Sequence, residues 1–438
     1  MPDGFPAEVE AAAAEAARRP PSPEHVDRTD RPFVTLDPAA ATDLDQAFSI
    51  EASSDDLLLH YAIADVGHFV RPGDPLDREA WQRGVTVYLP DEKAPLYPST
   101  LSERAASLLP DGPRPAVVFI VRIAPDGHVQ LDGVERAVIR SRAKLAYDSV
   151  RPDDLPIGFD ELSARIARAE DARGAPRVEF PEQDVELEGD HVRLVLRPRL
   201  ASEERNAGMS LATNLAVADA LHHAGTGLFR VMADPPEGAV RRLRHSARAV
   251  GLEWPADIDL ATFQRSLAHD DPRAAAFLIA VRRSSGGASY EPFRAGETPW
   301  HSAMAATYSH ATAPLRRLAD RYVVEASLAV ANGRPVDDDV AAAFPELPAA
   351  MSSGESLANR VERAVIDLAE AALLADRVGE TFDAVVIDED QRGAIAQLRD
   401  PAVVARVVAN RVDPGAEIRV MVESVDIEAH QVTLRRVG

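Results

Sequence analysis

The sequence predicts a mixed α/β domain followed by a small all-β barrel, and three observations support this fold class. From Phe33 to about Ile123, short apolar strands alternate with polar turns and one helix-like stretch. Two later runs, 202–224 and 314–331, repeat their apolar residues with helical periodicity. After Arg377 the sequence shows short strands separated by turns. With 438 residues, the chain is long enough for two or more domains with hydrophobic cores of their own.

The elements of the α/β domain are predicted from local composition. Runs of apolar and β-branched residues between polar turns are typical of strands, and the polar turn 53–56 separates two of them. A helix-like stretch starts near Pro75. The last predicted strand is almost entirely apolar, as expected for a strand that is buried on both faces. The predicted strands are 33–36, 47–50, 57–66, 85–88 and 116–123.

The chain divides into three predicted segments. Residues 1–31 combine a short Ala/Glu helix with the proline-rich breaker 19–23, so we expect a mobile or loosely docked arm. Residues 32–376 form the main domain, and residues 377–438 suit a small Greek-key barrel of the OB type. The alternative for the last segment is a β-rich extension of the main domain. Its predicted strands are 382–387, 394–398, 418–425 and 432–436, with turns at 388–393, 413–415 and 426–430.

Composition restricts the possible functions. The net charge of −23 and the pI near 4.9 argue against a non-specific nucleic-acid binder, which usually has a basic surface. A local basic channel is still compatible with this charge, because net charge averages over the whole surface. The chain contains no cysteine, which excludes a disulfide partner, thiolate metal ligands and a cysteine nucleophile.

The sequence gives no sign of export or membrane insertion. The start of the chain lacks a basic segment followed by an apolar core, which a secretory signal requires. No apolar run reaches the roughly 20 residues that a membrane-spanning helix needs. We therefore expect a cytoplasmic protein with no membrane partner, and a monomer is the expected oligomeric state.

An acidic cluster carries the clearest chemical signal. Asp37 ends a predicted strand, and Asp43 and Asp45 stand two positions apart in the loop that follows. Crowded carboxylates repel one another unless a cation lies among them, and Mg²⁺ prefers such oxygen ligands. The alternative is a solvated polar turn. An EF-hand is disfavoured, because the loop lacks the central glycine and the closing glutamate.

A second signal is a pair of arginines at the start of a predicted helix. Pro314 suits a first helical turn, and the apolar face of the helix runs toward the stop at Asn332-Gly333. Arg316 and Arg317 would then oppose the helix dipole, which favours anions at this end. A bound phosphate would relieve that conflict. The alternative is that both arginines pair with Asp320 or with other surface acids.

These motifs, taken in order, resemble the catalytic (RNB) domain of the ribonuclease II/ribonuclease R family. The family has an aspartate after a strand and an Asp-x-Asp-Asp cluster six positions later, where this chain has Asp37, Asp43, Asp45 and Gln46. The segments 61–70, 84–91 and 101–110 resemble its next signatures, and 308–317 resembles its Tyr-x-His-x-Thr-x-Pro-x-Arg-Arg motif. The resemblance runs from about residue 33 to residue 375.

The resemblance implies a 3′→5′ exoribonuclease that hydrolyses single-stranded RNA to nucleoside 5′-monophosphates with Mg²⁺. Asp37, Asp43 and Asp45 would hold the metal, with Gln46 as a weak or indirect ligand, and Asp45 would also orient the attacking water. Arg316 would contact the phosphate near the scissile bond.

The resemblance also implies residues that hold the RNA end. Tyr88 and Tyr147 would stack on terminal bases, although burial as core residues is the alternative for each, and Arg317 would be a further substrate contact. His310 is expected to be structural. The region 203–209 departs from the pattern of a family acid on a helix, so that role is not placed.

Two further features of the family bear on function. Its members usually carry cold-shock domains before the catalytic domain, and a 31-residue arm is too short for one. The neutral Gln46 at the fourth acidic position keeps a second function open, that of an RNB-fold protein that binds RNA without cleaving it. A metal-dependent phosphohydrolase acting on another substrate is a third possibility.

Overall fold

The computed structural model describes residues 4–175, 182–188, 191–197, 200–267, 272–284, 287–390, 393–399, 403–408, 412 and 415–437. Within these residues the helices are α1 Ala7–Ala16, α2 Val66–Phe69, α3 Pro75–Arg83, α4 Phe159–Arg173, α5 Ala201–His223, α6 Glu237–Ala249, α7 Leu260–Arg265, α8 Pro272–Ser284, α9 Leu318–Ala331, α10 Asp338–Ala343 and α11 Leu347–Leu374. The strands are β1 Val26–Asp27, β2 Phe33–Asp37, β3 Gln46–Ser53, β4 Asp56–Ala64, β5 Val87–Tyr88, β6 Lys93–Ala94, β7 Arg114–Ile123, β8 Val129–Ile139, β9 Ser141–Ala146, β10 Glu182–Glu188, β11 His191–Arg197, β12 Leu228–Val231, β13 Ser289–Pro292, β14 Trp300–His301, β15 Ala306–Thr307, β16 Thr381–Asp390, β17 Gly393–Leu398, β18 Val404–Val408, β19 Glu417–Asp426 and β20 Gln431–Arg436.

A seven-stranded mixed sheet forms the centre of the main domain, in the order β1-β8-β7-β4-β3-β2-β9. The outer pairs β1/β8 and β2/β9 are parallel, and the other neighbours are antiparallel. Strands β4 and β7 pair along eight positions in the middle of the sheet, and most of their side chains are buried. The combination of this sheet with the surrounding helices confirms the predicted α/β class.

The strand ends place the acidic loop at one edge of the sheet. Strand β2 ends at Asp37 and β3 begins at Gln46, so the loop 38–45 connects two neighbouring strands. Strand β9 runs parallel to β2, and the backbone N–H of Tyr147, directly after β9, donates to the Asp37 carbonyl at 3.1 Å. Residues far apart in sequence therefore meet where β2 and β9 end.

The arginine pair precedes its helix, which corrects the predicted helix start. Helix α9 begins at Leu318, and the Ala313 carbonyl accepts the N–H groups of both Arg316 and Arg317 in a turn before it. The backbone here pairs with a neighbouring segment, because the Arg316 carbonyl accepts from Thr86 and the Leu318 N–H donates to the Gly84 carbonyl. The arginines therefore do not lie in a first helical turn, and the dipole argument does not apply to them.

Glycines occupy two backbone positions with positive φ, one after the end of α9 and one in the segment that pairs with its start. The predicted stop at Asn332-Gly333 is confirmed, with Asn332 at the C-cap and Gly333 at φ +64°. Gly84 has φ +71°, and a Cβ atom there would lie 2.8 Å from the Ala350 carbonyl oxygen in α11. Glycine therefore lets α11 approach the segment that pairs with Arg316 and Arg317.

The N-terminal arm is packed into the main domain, so the expectation of loose docking is wrong. Helix α1 buries Val9, Ala13 and Ala16 in the same hydrophobic core as the large sheet. The Arg19 guanidinium donates to the carbonyls of His68 and Phe69, and β1 adds a parallel strand to β8. The alanine-rich sequence fits this packing, since small side chains allow α1 to approach the neighbouring helix α3 closely.

The last segment forms a closed barrel, in the order β16-β17-β18-β20-β19. It has a hydrophobic core of its own that includes Val386, Val420 and Leu434. This confirms the predicted OB-type barrel over the alternative of a β-rich extension. The parts of the predicted turns at 391–392 and 413–414 lie outside the described residues.

One module went unrecognised in the sequence. Helices α6, α7 and α8 surround a small separate core that contains Leu243, Phe263 and Phe277. The Trp254 ring stacks on Phe263 with 5.0 Å between ring centroids. Among the described residues, no helix is long and apolar enough to cross a membrane.

Candidate active site

The predicted site residues meet in one cleft with a volume of about 1730 Å³. The acidic loop, the arginine segment and the two tyrosines each contribute side chains to its wall. The acidic loop and the arginine segment, which lie far apart in sequence, therefore meet in one cleft. The predicted residues in the cleft lining are Asp37, Asp43, Asp45, Gln46, Tyr88, Tyr147, Arg316 and Arg317.

Asp45 joins the acidic loop to the arginine segment. One carboxylate oxygen, Oδ1, accepts the backbone N–H of Leu315 at 2.8 Å. The other, Oδ2, accepts from Nε of Arg316 at 3.2 Å. Burial raises the pKa of Asp45 to about 7, although the positive charge of Arg316 opposes this shift. The ionised form of Asp45 is therefore unfavourable at this buried position unless a cation stays close.

Asp37 has an oxygen atom with no partner. Its Oδ2 atom is buried and accepts no hydrogen bond. Burial raises the pKa of Asp37 to about 7, while the charges of Arg316 and Lys144 lower it. A buried carboxylate oxygen without a donor is unfavourable, so this atom is available to a cation.

Asp43 is fully engaged by two side chains. The Lys93 ammonium lies 2.8 Å from its Oδ1, and the Tyr88 hydroxyl donates to Oδ2 at 2.9 Å. Burial alone would raise the pKa of Asp43, but the hydrogen bond and the charge of Lys93 hold it below its ordinary value. Tyr88 is 51% exposed, so its ring remains accessible in the cleft while its hydroxyl is fixed.

Gln46 connects the sheet to the arginine segment. Its amide oxygen accepts from the Tyr61 hydroxyl, and its amide nitrogen donates to the Thr312 carbonyl at 2.8 Å. The Thr312 hydroxyl in turn lies 2.7 Å from the Ser210 hydroxyl, which lines the cleft. Both ends of the amide are thus used inside the protein. These bonds give no support to Gln46 as a metal ligand, and that role stays a prediction.

The two arginines differ in their environments. The side chain of Arg316 is 44% exposed, which leaves part of the guanidinium open to the cleft. Arg317 instead forms a double hydrogen bond with buried Asp320, in which Nε donates to Oδ1 at 2.8 Å and Nη2 donates to Oδ2 at 2.7 Å. Asp320 also accepts the N–H of Ala313. For Arg317, the alternative of pairing with Asp320 is therefore what the structure shows, and its predicted substrate contact is not supported.

Tyr147 and His310 have well-defined partners. The Tyr147 hydroxyl accepts from the side-chain amide of Asn206 at 2.8 Å, and burial raises the pKa of Tyr147 to about 12. His310 is buried with its Nδ1 atom 2.8 Å from the Tyr290 hydroxyl. Burial, together with the charge of Arg317, lowers the pKa of His310. A neutral, buried histidine that does not line the cleft agrees with the predicted structural role.

Sequence reasoning missed Lys93 and Lys144. Lys93 bridges Asp43 and Glu103, and Lys144 donates to the Ala39 carbonyl at 2.7 Å. They are the only lysines in the chain, since every other non-histidine basic residue is arginine. Both therefore contact the acidic loop, Lys93 at Asp43 and Lys144 at Ala39. That composition was a usable signal, because two isolated lysines in an arginine-rich chain stand out.

The cleft is acidic beyond the predicted cluster. Val240 of α6 lines the cleft, and α6 also exposes basic side chains to solvent. The sequence left open a local basic channel, but the lining of this cleft is largely acidic. The additional acidic lining residues are Asp160, Glu170, Glu203, Glu204, Asp234 and Asp259. The exposed basic residues of α6 are Arg241, Arg242, His245 and Arg248.

The oxygen donors of the acidic cluster suit Mg²⁺ in chemical type but do not by themselves complete its coordination shell. Hard carboxylate oxygens, an unpartnered Oδ2 on Asp37 and the raised pKa values of Asp37 and Asp45 suit a divalent cation. Within the described part of the chain, no group of three or more His, Asp or Glu side chains is close enough to hold a metal by itself. Water and phosphate oxygens would have to complete the shell, which is usual for Mg²⁺.

Comparison with known protein families agrees with this architecture. The model of the RNB domain matches residues 25–330, and that of the RNase II-type exonuclease C-terminal S1 domain matches residues 380–437. The first match alone covers more than half of the chain. The chain therefore belongs to the RNB family of ribonuclease II and ribonuclease R proteins.

Individual relatives match this chain over different shares of their own length. Ribonuclease R of Thermotoga maritima is 28% identical, over 94% of this chain and 62% of the relative. The structure of Mycoplasma genitalium RNase R in complex with ribose-methylated single-stranded RNA matches with a TM-score of 0.87 at 19% identity, covering 98% of this chain and 75% of that chain. Yeast Ssd1, a pseudonuclease, matches with a TM-score of 0.72 at 16% identity, over 96% of this chain and 54% of that one. The chain thus spans only part of the length of each.

Proposed function

We propose that this chain is a 3′→5′ exoribonuclease that uses Mg²⁺ to hydrolyse single-stranded RNA to nucleoside 5′-monophosphates. The observation that carries the proposal is the meeting of Asp37, Asp43 and Asp45 with Arg316 on one cleft wall. Membership of the RNB family and the likeness to an RNase R whose structure contains RNA support it.

The proposed roles follow from the contacts. Asp37, Asp43 and Asp45 would hold Mg²⁺, which when bound polarises the phosphate and supplies a more acidic water. Asp45 would orient the attacking water, since its carboxylate is fixed by Leu315 and Arg316. The exposed part of Arg316 would stabilise negative charge on the phosphate.

The RNA end would be held by aromatic stacking. The Tyr88 ring is exposed in the cleft with its hydroxyl bound to Asp43, so a base stacked on it would lie next to the acidic cluster. Tyr147 would contact a second base, with its ring fixed through Asn206. Arg317 would act indirectly by holding the turn that presents Arg316.

The test is degradation of a 5′-labelled single-stranded RNA with and without Mg²⁺. We expect progressive shortening from the 3′ end by the unaltered chain, and loss of at least about 100-fold in rate for Asp45→Asn. Asparagine can still accept from Leu315, so the melting temperature should change little. A single-stranded DNA of the same sequence is the control for substrate class. Equal activity of the Asp45→Asn variant would refute the assigned roles.

A second candidate function is RNA binding without cleavage. The neutral Gln46 at the fourth acidic position favours it, as does the likeness to a yeast pseudonuclease of the same fold. The two candidates separate in one Mg²⁺ titration with labelled oligo(A). Product formation supports the nuclease, whereas saturable binding with no product at any Mg²⁺ concentration supports the binding protein.

A further inference from the structure

We infer that this site holds a single divalent ion and that the ammonium group of Lys93 takes the place of a second cation beside Asp43. The inference deepens the proposed function, on which it rests. It concerns which cation neutralises each carboxylate of the cluster, and it assigns this role to Lys93 at Asp43.

Lys93 contacts Asp43, the carboxylate that a second ion would need as a ligand. Its ammonium group lies 2.8 Å from Oδ1 of Asp43 and 2.9 Å from Oε1 of Glu103. Two carboxylates on different segments therefore converge on one lysine, which is partly buried. Two carboxylate partners at hydrogen-bond distance compensate the charge of the ammonium group, so a cation is stable at this position.

The rest of the Asp43 side is closed as well. The second oxygen of Asp43 accepts from the Tyr88 hydroxyl, so both carboxylate oxygens have partners. Gln46, at the neighbouring acidic position of the family, brings no charge, and its amide is engaged by Tyr61 and Thr312. A second ion here would lack a charged ligand and would face the Lys93 ammonium at short range, which is repulsive.

The other side of the cluster is open to one ion. Asp37 has a buried Oδ2 atom without a partner, and buried Asp45 has the Arg316 guanidinium beside its Oδ2 atom. Two metal ions in hydrolytic sites usually stand about 3.5–4 Å apart and share carboxylate ligands between them. With both oxygens of Asp43 engaged by Lys93 and Tyr88, the direct carboxylate ligands of one divalent cation would be Asp37 and Asp45, and Asp43 would help to hold that ion only through a bridging water.

The experiment counts metal ions without reference to RNA cleavage. The full chain is stripped of metal with a chelator, and Mn²⁺ binding is followed by titration calorimetry and electron paramagnetic resonance. We expect one Mn²⁺ per chain and no spectral coupling between ions. Lys93→Met should reveal a second, weaker binding event, because Asp43 and Glu103 are released together.

Two further variants keep the test decisive. Lys144→Met is the matched control, since the ammonium of Lys144 donates to a backbone carbonyl and not to a carboxylate, and its stoichiometry should stay at one. Lys93→Arg keeps the positive charge and should also stay at one, and circular dichroism checks that each variant is folded. Two coupled ions in the unaltered chain would overturn the inference. So would a folded Lys93→Met variant that binds only one ion.

Failure of the inference and failure of the proposed function give different results. A chain that binds one Mn²⁺ but never shortens RNA refutes the nuclease and retains the single-ion site. A chain that shortens RNA with two bound ions refutes the inference alone. A folded chain that binds no Mn²⁺ refutes both.

Discussion

Replacing Gln46 by aspartate separates two explanations of this position by the sign of the effect. If Gln46 is a weakened metal ligand, aspartate restores the acidic pattern of the family and should improve the site. The structure indicates the opposite, because Gln46 bridges the Tyr61 hydroxyl and the Thr312 carbonyl. Aspartate is one methylene shorter and, when ionised, cannot donate to a carbonyl oxygen.

The expected cost can be worked from these two hydrogen bonds. A buried hydrogen bond contributes about 1 kcal/mol net, and a carbonyl left without a donor costs about 1–3 kcal/mol. Thr312 is buried, so water cannot easily replace the lost donor. We therefore expect Gln46→Asp to lower the free energy of unfolding by roughly 2–4 kcal/mol. Because Thr312 precedes the turn that presents Arg316, the RNA cleavage rate should also fall, on the order of 100-fold for a 1 Å displacement.

The assay combines urea unfolding with single-turnover cleavage of a labelled RNA across a range of Mg²⁺ concentrations. Tyr61→Phe is the matched control, because it removes one of the two bonds and leaves the link to Thr312 intact. It should cost about 1–2 kcal/mol and have the smaller effect on rate. A Gln46→Asp variant that is as stable as the unaltered chain, and that cleaves faster or needs less Mg²⁺, would refute the reasoning.

Three further expectations follow from individual contacts. Arg317→Ala should lower stability in urea by about 3–5 kcal/mol, since it strands the buried charge of Asp320, whereas Arg316→Ala, which removes a half-exposed partner of Asp45 held by one contact, should slow RNA cleavage with a smaller loss of stability; equal stability losses would contradict this. Burial lowers the pKa of His301 from 6.5 to about 4, so the unfolded chain binds more protons and stability should fall by up to about 3 kcal/mol as the pH drops from 6.5 to 4. His301→Gln should remove that component of the pH dependence, and an unchanged difference between pH 7 and pH 4 would contradict it. Arg242→Glu combined with Arg248→Glu should weaken binding of a long RNA and reduce the slope of log K against log salt by about 1 per arginine, and identical slopes for both proteins would remove α6 from the RNA path.

The sequence predicted those parts of the fold that depend on local patterning. The strand before Asp37, the apolar strand β7 and the helical run that became α5 follow from residue periodicity alone. The closed barrel was also predictable, because short strands with regular turns leave few other arrangements. The acidic loop was found because crowded carboxylates are unfavourable without a cation.

The errors have one physical origin, which is pairing between residues distant in the chain. Helix α9 starts at Leu318 and not at Pro314, because the preceding backbone forms hydrogen bonds with Gly84 and Thr86. The packing of the N-terminal arm depends in part on Arg19, which donates to the carbonyls of His68 and Phe69, about 50 residues away in sequence. Neither contact leaves a periodic signal in the sequence, so local propensity could not reveal it.

The charge arrangement of the cleft links metal binding to RNA binding. Arg316, which the proposed function assigns to the phosphate, donates to Asp45 through Nε, and Lys93 is held by Asp43 and Glu103. A phosphate that approaches this acidic cleft must therefore compete with Asp45 for the Arg316 guanidinium. A divalent ion at Asp37 and Asp45 would neutralise the carboxylate that now holds Arg316 and so release more of the guanidinium to the phosphate. In the proposed function the metal would therefore serve RNA binding as well as chemistry, and it would allow a chain with a net charge of −23 to accept a polyanion.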